Sequence, residues 1–262
     1  MTMNQNAIQT AAQILFQHWN DSTRLDALPA ECRPADRAEA YAIQAEFERM
    51  TGQTRSGWKI AATSIAGQKH IGVDGPLAGR LLNGRVLAGG TTVSLSGNLM
   101  RVAEAEFTFR FGQSLPKRAE AYSLEEVLAV VESLHCAIEV PDSRYHDFLQ
   151  VGAPQLIADN ACACWYLLGE AVTVDWRSLN LAEHKLAAYL NGKLVAEGIG
   201  ANALGDPRVA LTWLTNELNT FGDGLLAGEI VTTGTCITPV PIAPGSHLLV
   251  DFGALGAIEA FF

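Results

Sequence analysis

Two glutamates two residues apart, Glu104 and Glu106, have a type and spacing that indicate chemistry. They lie in RVAEAEFTFRFG (101–112), where strict alternation of apolar residues predicts a half-buried strand. Residues two apart on a strand point to the same side, so the two carboxylates would lie together and repel unless a cation lies between them. Their oxygens suit Mg²⁺, Mn²⁺ or Ca²⁺. The alternative is a polar strand face that carries glutamates toward solvent.

Two further charged residues stand inside apolar runs. Glu139 comes at the end of LHCAIEV, and Lys59 lies within GWKIAATS. Acidic residues are rarely buried unpaired, so Glu139 either adds a third carboxylate to the pair or forms a salt bridge, for instance with Arg144. Lys59 is either a desolvated ammonium beside an anionic substrate or an edge lysine that extends its ammonium to water.

The segments before these residues predict mainly helices. Apolar residues recur at helical spacing through the first fifty positions, and Asp36 and Glu39 have the spacing of a capping box. We expect an N-terminal helical region over residues 1–55 and a β-rich catalytic core over residues 56–262, the two forming one structural unit. A later capping box at Ser123 and Glu126 begins a helix whose apolar stripe extends to Leu134.

The later segments predict strands with few interruptions. Asn191-Gly192 is typical of a type I′ hairpin turn, and Cys162–Cys164 is expected in a buried strand. A last helix is predicted from Asp206-Pro207, with Gly222 as the residue that follows its end. This order lacks regular βαβ alternation and predicts an α+β fold whose large β core closes around a site.

Composition excludes several classes of function. The formal net charge of −10 argues against a nucleic-acid partner, because phosphate binding needs clustered lysines and arginines. No apolar run is long enough for a membrane span, and the first residues do not have the pattern of a signal peptide, so we expect a cytoplasmic protein. The five cysteines are odd in number and scattered, which favours reduced thiols over a disulfide framework.

Six segments resemble, in order and spacing, the fumarylacetoacetate hydrolase superfamily, and most of all its 2-keto-4-pentenoate hydratase and 4-oxalocrotonate decarboxylase branch. The likeness covers about residues 38–262 and rests on GWKIAATS, AEAEFTFRFG, AIEVPDSRYHDF, LIADNACACWYLLG, ALGDPRVALTWLTNEL and TTGTCITPVPIAPGSHLLVDFGALG. It implies a mixed β-sheet roll or barrel-like core of the fumarylacetoacetate hydrolase C-terminal type, with the N-terminal helices packed outside. Relatives of this kind commonly form homo-oligomers, and hydratases and decarboxylases of the branch can associate.

The resemblance also implies a function and a site. Mg²⁺ or Mn²⁺ would be held by Glu104, Glu106 and Glu139 and would chelate the 1-carboxylate and 2-oxo oxygen of a 2-oxo acid. Lys59 matches the catalytic lysine of the family. The late turn that lines the substrate pocket corresponds to Thr233, Gly234 and Thr235. The leading expectation is a hydratase of an unsaturated 2-oxo acid in aromatic catabolism, with 2-hydroxypenta-2,4-dienoate as the type of substrate.

Two departures from the family pattern bear on that expectation. Hydratases of the branch carry an acidic residue in a PDFG-like stretch, where this chain has Leu77, with Asp74 nearby as a candidate for substrate binding. The GHP of the family is replaced by Gly-Asp-Pro, in which Asp206 suits a helix N-cap. Arg144 and His70 are candidates for groups that support the site. A decarboxylase, a hydrolase of a diketone or acylpyruvate that uses His70, and a non-catalytic partner subunit stay open.

Overall fold

The computed structural model describes residues 3–262, in which α-helices and β-strands alternate irregularly. The helices are Gln5–Asp21 (α1), Arg37–Thr51 (α2), Ile65–Ile71 (α3), Leu124–Ala129 (α4), Gly152–Ala158 (α5) and Pro207–Phe221 (α6). The strands are Arg55–Ala61 (β1), Leu77–Leu82 (β2), Val86–Ala88 (β3), Val102–Phe111 (β4), Leu115–Pro116 (β5), Val131–Val140 (β6), Trp165–Ala171 (β7), Lys185–Leu190 (β8), Lys193–Ile199 (β9), Gly224–Leu225 (β10), Ile230–Thr235 (β11), Val240–Pro241 (β12), His247–Asp251 (β13) and Ala257–Phe261 (β14).

The main sheet is mixed and curled into a half-barrel. Its strand order is β2-β1-β11-β4-β6-β7-β3, and β12 also pairs with β4. The β1–β11 and β3–β7 pairs are parallel and the others are antiparallel. A smaller antiparallel sheet has the order β14-β13-β8-β9. The α+β fold expected from the order of the elements, and the mixed, curled β core implied by the resemblance, are therefore confirmed.

The central strand β4 is buried on both faces, and not only on its aromatic face. Phe107, Phe109 and Phe111 have no exposed surface, and Phe107 packs edge-on against Phe252, next to the smaller sheet, with ring centroids 5.4 Å apart. On the opposite face Glu106 is equally buried. The sequence alternation thus identified the strand correctly, while the prediction of a half-buried strand was wrong because Glu106 and Thr108 on its polar side have no exposed surface either.

Local capping signals agree with the helix and turn boundaries at most positions. The Ser123 hydroxyl accepts the Glu126 N–H while the Glu126 carboxylate accepts the Ser123 N–H, which completes the predicted capping box. Asp206 caps α6 through the N–H of Arg208. The Asn191-Gly192 turn joins β8 to β9 with φ of 50° and 76°, as a type I′ turn requires.

Two local predictions were wrong. Helix α4 ends at Ala129, and Leu134 instead lies in β6 opposite Phe109, where strand pairing with β4 outweighs helical periodicity. Cys162–Cys164 is not a strand, because the backbone makes a tight turn at Asn160–Cys162 before β7 begins. The predicted end of the last helix is correct, because Gly222 directly follows α6.

Two further observations concern membrane spans and disulfides, which the sequence argues against. Among residues 3–262 no helix is both long and apolar enough to cross a lipid bilayer. All five cysteines have free thiols.

Candidate metal centre

The three glutamates converge because β4 and β6 are paired in register. Glu104 lies directly opposite Glu139 in this antiparallel pair, and Glu106 lies two residues further along the same face of β4. Each glutamate offers one carboxylate oxygen, and these oxygens all lie within 4.8 Å of one another. Glu106 and Glu139 are fully buried and Glu104 is half-buried. The pair seen in the sequence is thus two-thirds of a three-carboxylate cluster.

One oxygen of Glu106 is fixed by donors on the neighbouring strand β11. The Thr232 hydroxyl and the Gly234 N–H both donate to Oε2, the latter at 2.9 Å. Gly234 has φ of +96°, and a Cβ there would overlap the side chain of Thr63, so only glycine suits this donor position. Within the described chain, Glu106 Oε1 has no hydrogen-bond partner. The strand therefore holds the carboxylate by one oxygen and leaves the other available.

Lys59 on β1 supplies the positive charge of the cluster. Its Nζ lies 3.0 Å from Glu139 Oε1 in an ion pair that lacks hydrogen-bond alignment, and it donates to the Ala161 carbonyl at 3.0 Å. The side chain is only 2 % exposed, so the alternative of an edge lysine that reaches water is wrong. In residues 3–262 neither oxygen of Glu139 accepts a hydrogen bond.

The salt bridge considered between Arg144 and Glu139 does not form. Arg144 instead forms an ion pair with the buried Asp159, and the same carboxylate accepts the Ser143 hydroxyl at 2.7 Å. The Arg144 guanidinium also lies 4.6 Å from the ring centroid of Trp19. The prediction failed because the partner of Arg144 lies fifteen residues away in sequence. Arg144 is therefore part of a separate buried ion pair.

Burial and mutual repulsion disturb the protonation of the cluster. Desolvation, reinforced by Glu139, raises the pKa of Glu104 to about 7 despite the nearby Lys59 ammonium. Desolvation and the two neighbouring carboxylates raise the pKa of Glu106 well above its ordinary value. Burial lowers the pKa of Lys59, but the carboxylates, Glu139 first, more than offset this, so its pKa is raised and the ammonium stays charged. Ionising all three carboxylates together is therefore unfavourable in the protein alone, and a divalent cation would stabilise their ionised forms.

A cavity of about 710 Å³ opens beside this cluster and receives several of the predicted residues. Lys59, Glu104, His70, Thr235 and Leu77 all line it. The lining is otherwise mainly apolar: Ile60, Ile71, Met100, Val102, Pro141, Phe148, Leu156, Ile237 and Pro239 contribute to it.

The other predicted residues lie elsewhere. The Thr233 hydroxyl donates to the Phe107 carbonyl at 3.0 Å, so it supports β4 from within the sheet. Gly234 contacts Glu106 through its N–H, as described above. Asp74 is exposed and is not among the residues that line the cavity.

Sequence inspection missed four residues that complete the site. Thr232 directly precedes the turn that the resemblance identified, and its hydroxyl reaches Glu106. Cys162 and Asn202 line the cavity, and Ala161 presents its carbonyl to Lys59. Of these four, only Thr232 could have been inferred from the sequence, because it lies on a strand next to the motif that the resemblance identified. The other three lie in loops whose positions are set by tertiary packing.

The fold and the site agree with a comparison against known protein families. The model of the fumarylacetoacetate (FAA) hydrolase C-terminal family matches residues 83–261, which is more than half of the chain. The chain therefore belongs to this family.

Individual relatives divide between two activities. A 2-keto-4-pentenoate hydratase from Burkholderia vietnamiensis is 28 % identical over 260 residues, covering 98 % of both chains. A 4-oxalocrotonate decarboxylase from Pseudomonas putida is 31 % identical over 232 residues, covering 86 % of this chain and 85 % of that one. The solved structure of a Pseudomonas putida 4-oxalocrotonate decarboxylase complexed with magnesium and adipate superposes with a TM-score of 0.90 at 26 % identity, over 100 % of this chain and 99 % of that chain.

Proposed function

We propose that this protein is a divalent-metal-dependent lyase that adds water to an unsaturated 2-oxo acid of the 2-hydroxypenta-2,4-dienoate kind. The observation that carries the proposal is the cluster of Glu104, Glu106 and Glu139, whose oxygens lie within 4.8 Å beside a cavity that Lys59 also lines. Full-length relatives named as hydratases support the reaction class. The magnesium in the decarboxylase structure supports the choice of a divalent cation.

The donor set fits Mg²⁺ or Mn²⁺. All three candidate ligands are carboxylates, which hard cations prefer, and buried oxygens of Glu106 and Glu139 in the described chain lack hydrogen-bond donors. Three carboxylates, the Lys59 ammonium and one divalent cation would together be neutral, which is the condition for burying so many charges. When bound, the cation supplies a Lewis acid for the 1-carboxylate and 2-oxo oxygens of the substrate and stabilises negative charge there.

We assign the remaining roles, substrate binding and proton transfer, to Lys59 and His70. Lys59 holds a proton on Nζ at the edge of the cavity, where it attracts the anionic substrate and can donate a hydrogen bond to an oxygen that gains charge. His70 on α3 also lines the cavity. Because Leu77 cannot transfer a proton, we assign to His70 the proton transfer at the distal double bond that an acidic residue performs in the hydratase pattern.

A 4-oxalocrotonate-type decarboxylase is the second candidate, and the structural likeness to such an enzyme favours it. Its 2-oxo-3-enedioate substrate carries a second carboxylate, which needs a positively charged partner inside the site. Among the described residues that line the cavity there is no arginine, Lys59 lies at the carboxylate cluster, and His70 is the one other side chain that can become positively charged. The lining therefore favours a substrate with one carboxylate, and hence the hydratase.

Two assays on the Mg²⁺- or Mn²⁺-loaded protein distinguish hydratase from decarboxylase activity. We expect metal-dependent loss of the dienol absorbance of 2-hydroxypenta-2,4-dienoate and no release of CO₂ from 2-oxohex-3-enedioate. Glu106→Gln should abolish the first reaction, whereas Glu197→Gln, on the exposed face of β9, should leave it intact. CO₂ release would establish the decarboxylase instead. Failure of both reactions despite metal binding would favour the hydrolase or the non-catalytic partner.

A homo-oligomeric state and association with a pathway enzyme stay predictions.

A further inference from the structure

A buried tyrosine, to which the proposed function assigns no role, lies beside the carboxylate cluster. Tyr166 on β7 is opposite Glu139 on β6, and Glu139 is opposite Glu104 on β4. Residues that face each other across paired strands project to the same side of a sheet, so these three side chains share one face. Tyr166 has no exposed surface and is not among the described residues that line the cavity. Its hydroxyl therefore interacts with other residues of the chain and not with a ligand in the cavity.

The side chain of Tyr166 is held in place by a small buried apolar cluster. It packs with Leu81 on β2, Ala137 on β6 and Ile230 on β11, and each of these residues has at most 4 % of its surface exposed. Close packing of this kind leaves a buried ring few alternative rotamers. The position of the Tyr166 hydroxyl is consequently fixed by the packing of the ring and not by its hydrogen bonds alone.

Two threonines connect this hydroxyl to Glu106. Thr108 comes two residues after Glu106 on the same face of β4, and Thr232 on β11 is opposite Thr108. The Tyr166 hydroxyl is hydrogen-bonded to the side chains of both threonines. The Thr232 hydroxyl in turn donates to Glu106 Oε2, and none of the four side chains has any exposed surface. Three hydroxyl groups thus form a continuous buried chain that ends on the carboxylate.

The number of protons fixes the direction of this hydroxyl chain. An ionised carboxylate only accepts hydrogen bonds, so the single hydroxyl proton of Thr232 is directed at Glu106. Thr232 must then accept from Tyr166, which burial keeps protonated by raising its pKa well above the ordinary value, and Tyr166 must accept from Thr108. The reverse direction would leave the Thr108 proton without an acceptor, because within residues 3–262 its hydroxyl bonds to Tyr166 alone. All three hydroxyls therefore donate toward Glu106.

We propose that Tyr166 is a positioning residue of the metal centre. By donating to Thr232, it holds the Thr232 proton on Glu106 Oε2 and so keeps Oε1, the oxygen without a partner in the described chain, directed at the cation. The inference rests on the metal centre of the proposed function. It goes beyond that function because it assigns the orientation of one metal ligand to a residue that is neither a ligand nor part of the cavity lining.

A double-mutant cycle on Mn²⁺ affinity tests this directly, with wild type, Tyr166→Phe, Thr232→Val and the double variant. Tyr166→Phe keeps the ring and removes only the hydroxyl, and it should bind Mn²⁺ about three- to tenfold more weakly, because the hydrogen bond from Thr232 to Glu106 loses its support. The double variant should bind within about twofold of Thr232→Val, because Tyr166 acts through Thr232. If the two losses multiply instead, Tyr166 has only a general structural effect and the inference fails.

Tyr145→Phe is the matched control and should bind Mn²⁺ as wild type does. Tyr145 is also buried, but its hydroxyl has no hydrogen-bond partner in the part of the chain that the structure describes. Thr108→Val removes a donor one step further from Glu106 and should weaken binding about twofold, less than Tyr166→Phe does.

The outcomes separate this inference from the metal centre itself. Wild-type affinity in a folded Tyr166→Phe protein, or an equal loss in Tyr145→Phe, would overturn the inference and leave the metal centre standing. If Tyr166→Phe does not fold, wild-type affinity in Thr108→Val overturns it instead. If the wild-type protein binds no Mn²⁺, the metal centre and the inference both fail.

Discussion

Removing the hydroxyl of Thr232 should weaken metal binding without removing a proposed ligand. Thr232 and Gly234 both donate to Glu106 Oε2, and this leaves Oε1 as the unpartnered oxygen. Thr232→Val preserves the shape of the side chain but deletes one donor. Glu106 would then rotate more freely, and its ionised form would lose a stabilising hydrogen bond, so that protons would compete better with the cation.

The magnitude follows from the kind of hydrogen bond lost. A bond to a charged acceptor contributes about 1.5–3 kcal/mol, and the Gly234 N–H that remains keeps the loss near the lower end. A loss of about 1.5–2 kcal/mol corresponds to Mn²⁺ affinity ~10- to 30-fold weaker, within the range typical of groups that orient metal ligands.

The assay is a titration with Mn²⁺ in which the free ion is followed by electron paramagnetic resonance. Thr232→Ser keeps the hydroxyl and should bind Mn²⁺ nearly as wild type does. Thr233→Val is the matched control, because its hydroxyl donates to the Phe107 carbonyl and not to Glu106. Wild-type affinity in Thr232→Val, or an equal loss in Thr232→Ser, would refute the view that this hydroxyl positions Glu106.

Three further predictions concern charge. Lys59→Ala should lower kcat at least ~100-fold in a steady-state assay while changing Mn²⁺ affinity much less, because the ammonium acts on the substrate. An unchanged kcat would show that Lys59 has only a structural role. Mn²⁺ affinity should fall as the pH is lowered from 8 to 6, by up to ~tenfold per unit for each ligand that takes up a proton. Glu104, with its pKa raised to about 7, and Glu106, with its pKa raised well above its ordinary value, must both be ionised to bind the cation; a flat titration series from pH 6 to 8 would contradict this. Asp159→Asn should destabilise the fold by about 3–5 kcal/mol in urea unfolding, because it leaves the buried Arg144 without its counter-charge. The more exposed Asp206→Asn should cost less than about 1 kcal/mol, and equal losses in the two variants would contradict the difference.

Periodicity predicted the strand that presents the metal-site residues but not its surroundings. Alternation in residues 101–112 is a local property of the chain, so β4 and the shared face of Glu104 and Glu106 could be predicted. The position of Glu139 opposite Glu104 depends on the register between β4 and β6, which local sequence does not encode. The apolar run around Glu139 left it open between a third carboxylate and a salt bridge, and the family resemblance favoured the third carboxylate.

Long-range pairings explain the errors. Arg144 binds Asp159 and Lys59 binds Glu139, and neither choice can be read from residues adjacent in sequence. Likewise, the turn at Asn160–Cys162 replaces a predicted strand because the Asn160 side chain is fastened to Arg80 on β2, eighty residues away. Apolar composition predicted burial there correctly for Ala161, but burial alone does not distinguish a strand from a packed turn.

The central claim is that Glu104, Glu106 and Glu139 together hold one divalent cation. Calorimetric titration of Mn²⁺ into wild type, Glu106→Gln and Glu139→Gln tests it most directly, with Glu170→Gln, an exposed residue on β7, as the control. We predict one ion bound per wild-type chain, the same in Glu170→Gln, and at least ~100-fold weaker binding in the other two variants with unchanged circular dichroism. Wild-type affinity in a folded Glu106→Gln or Glu139→Gln protein would contradict the metal centre.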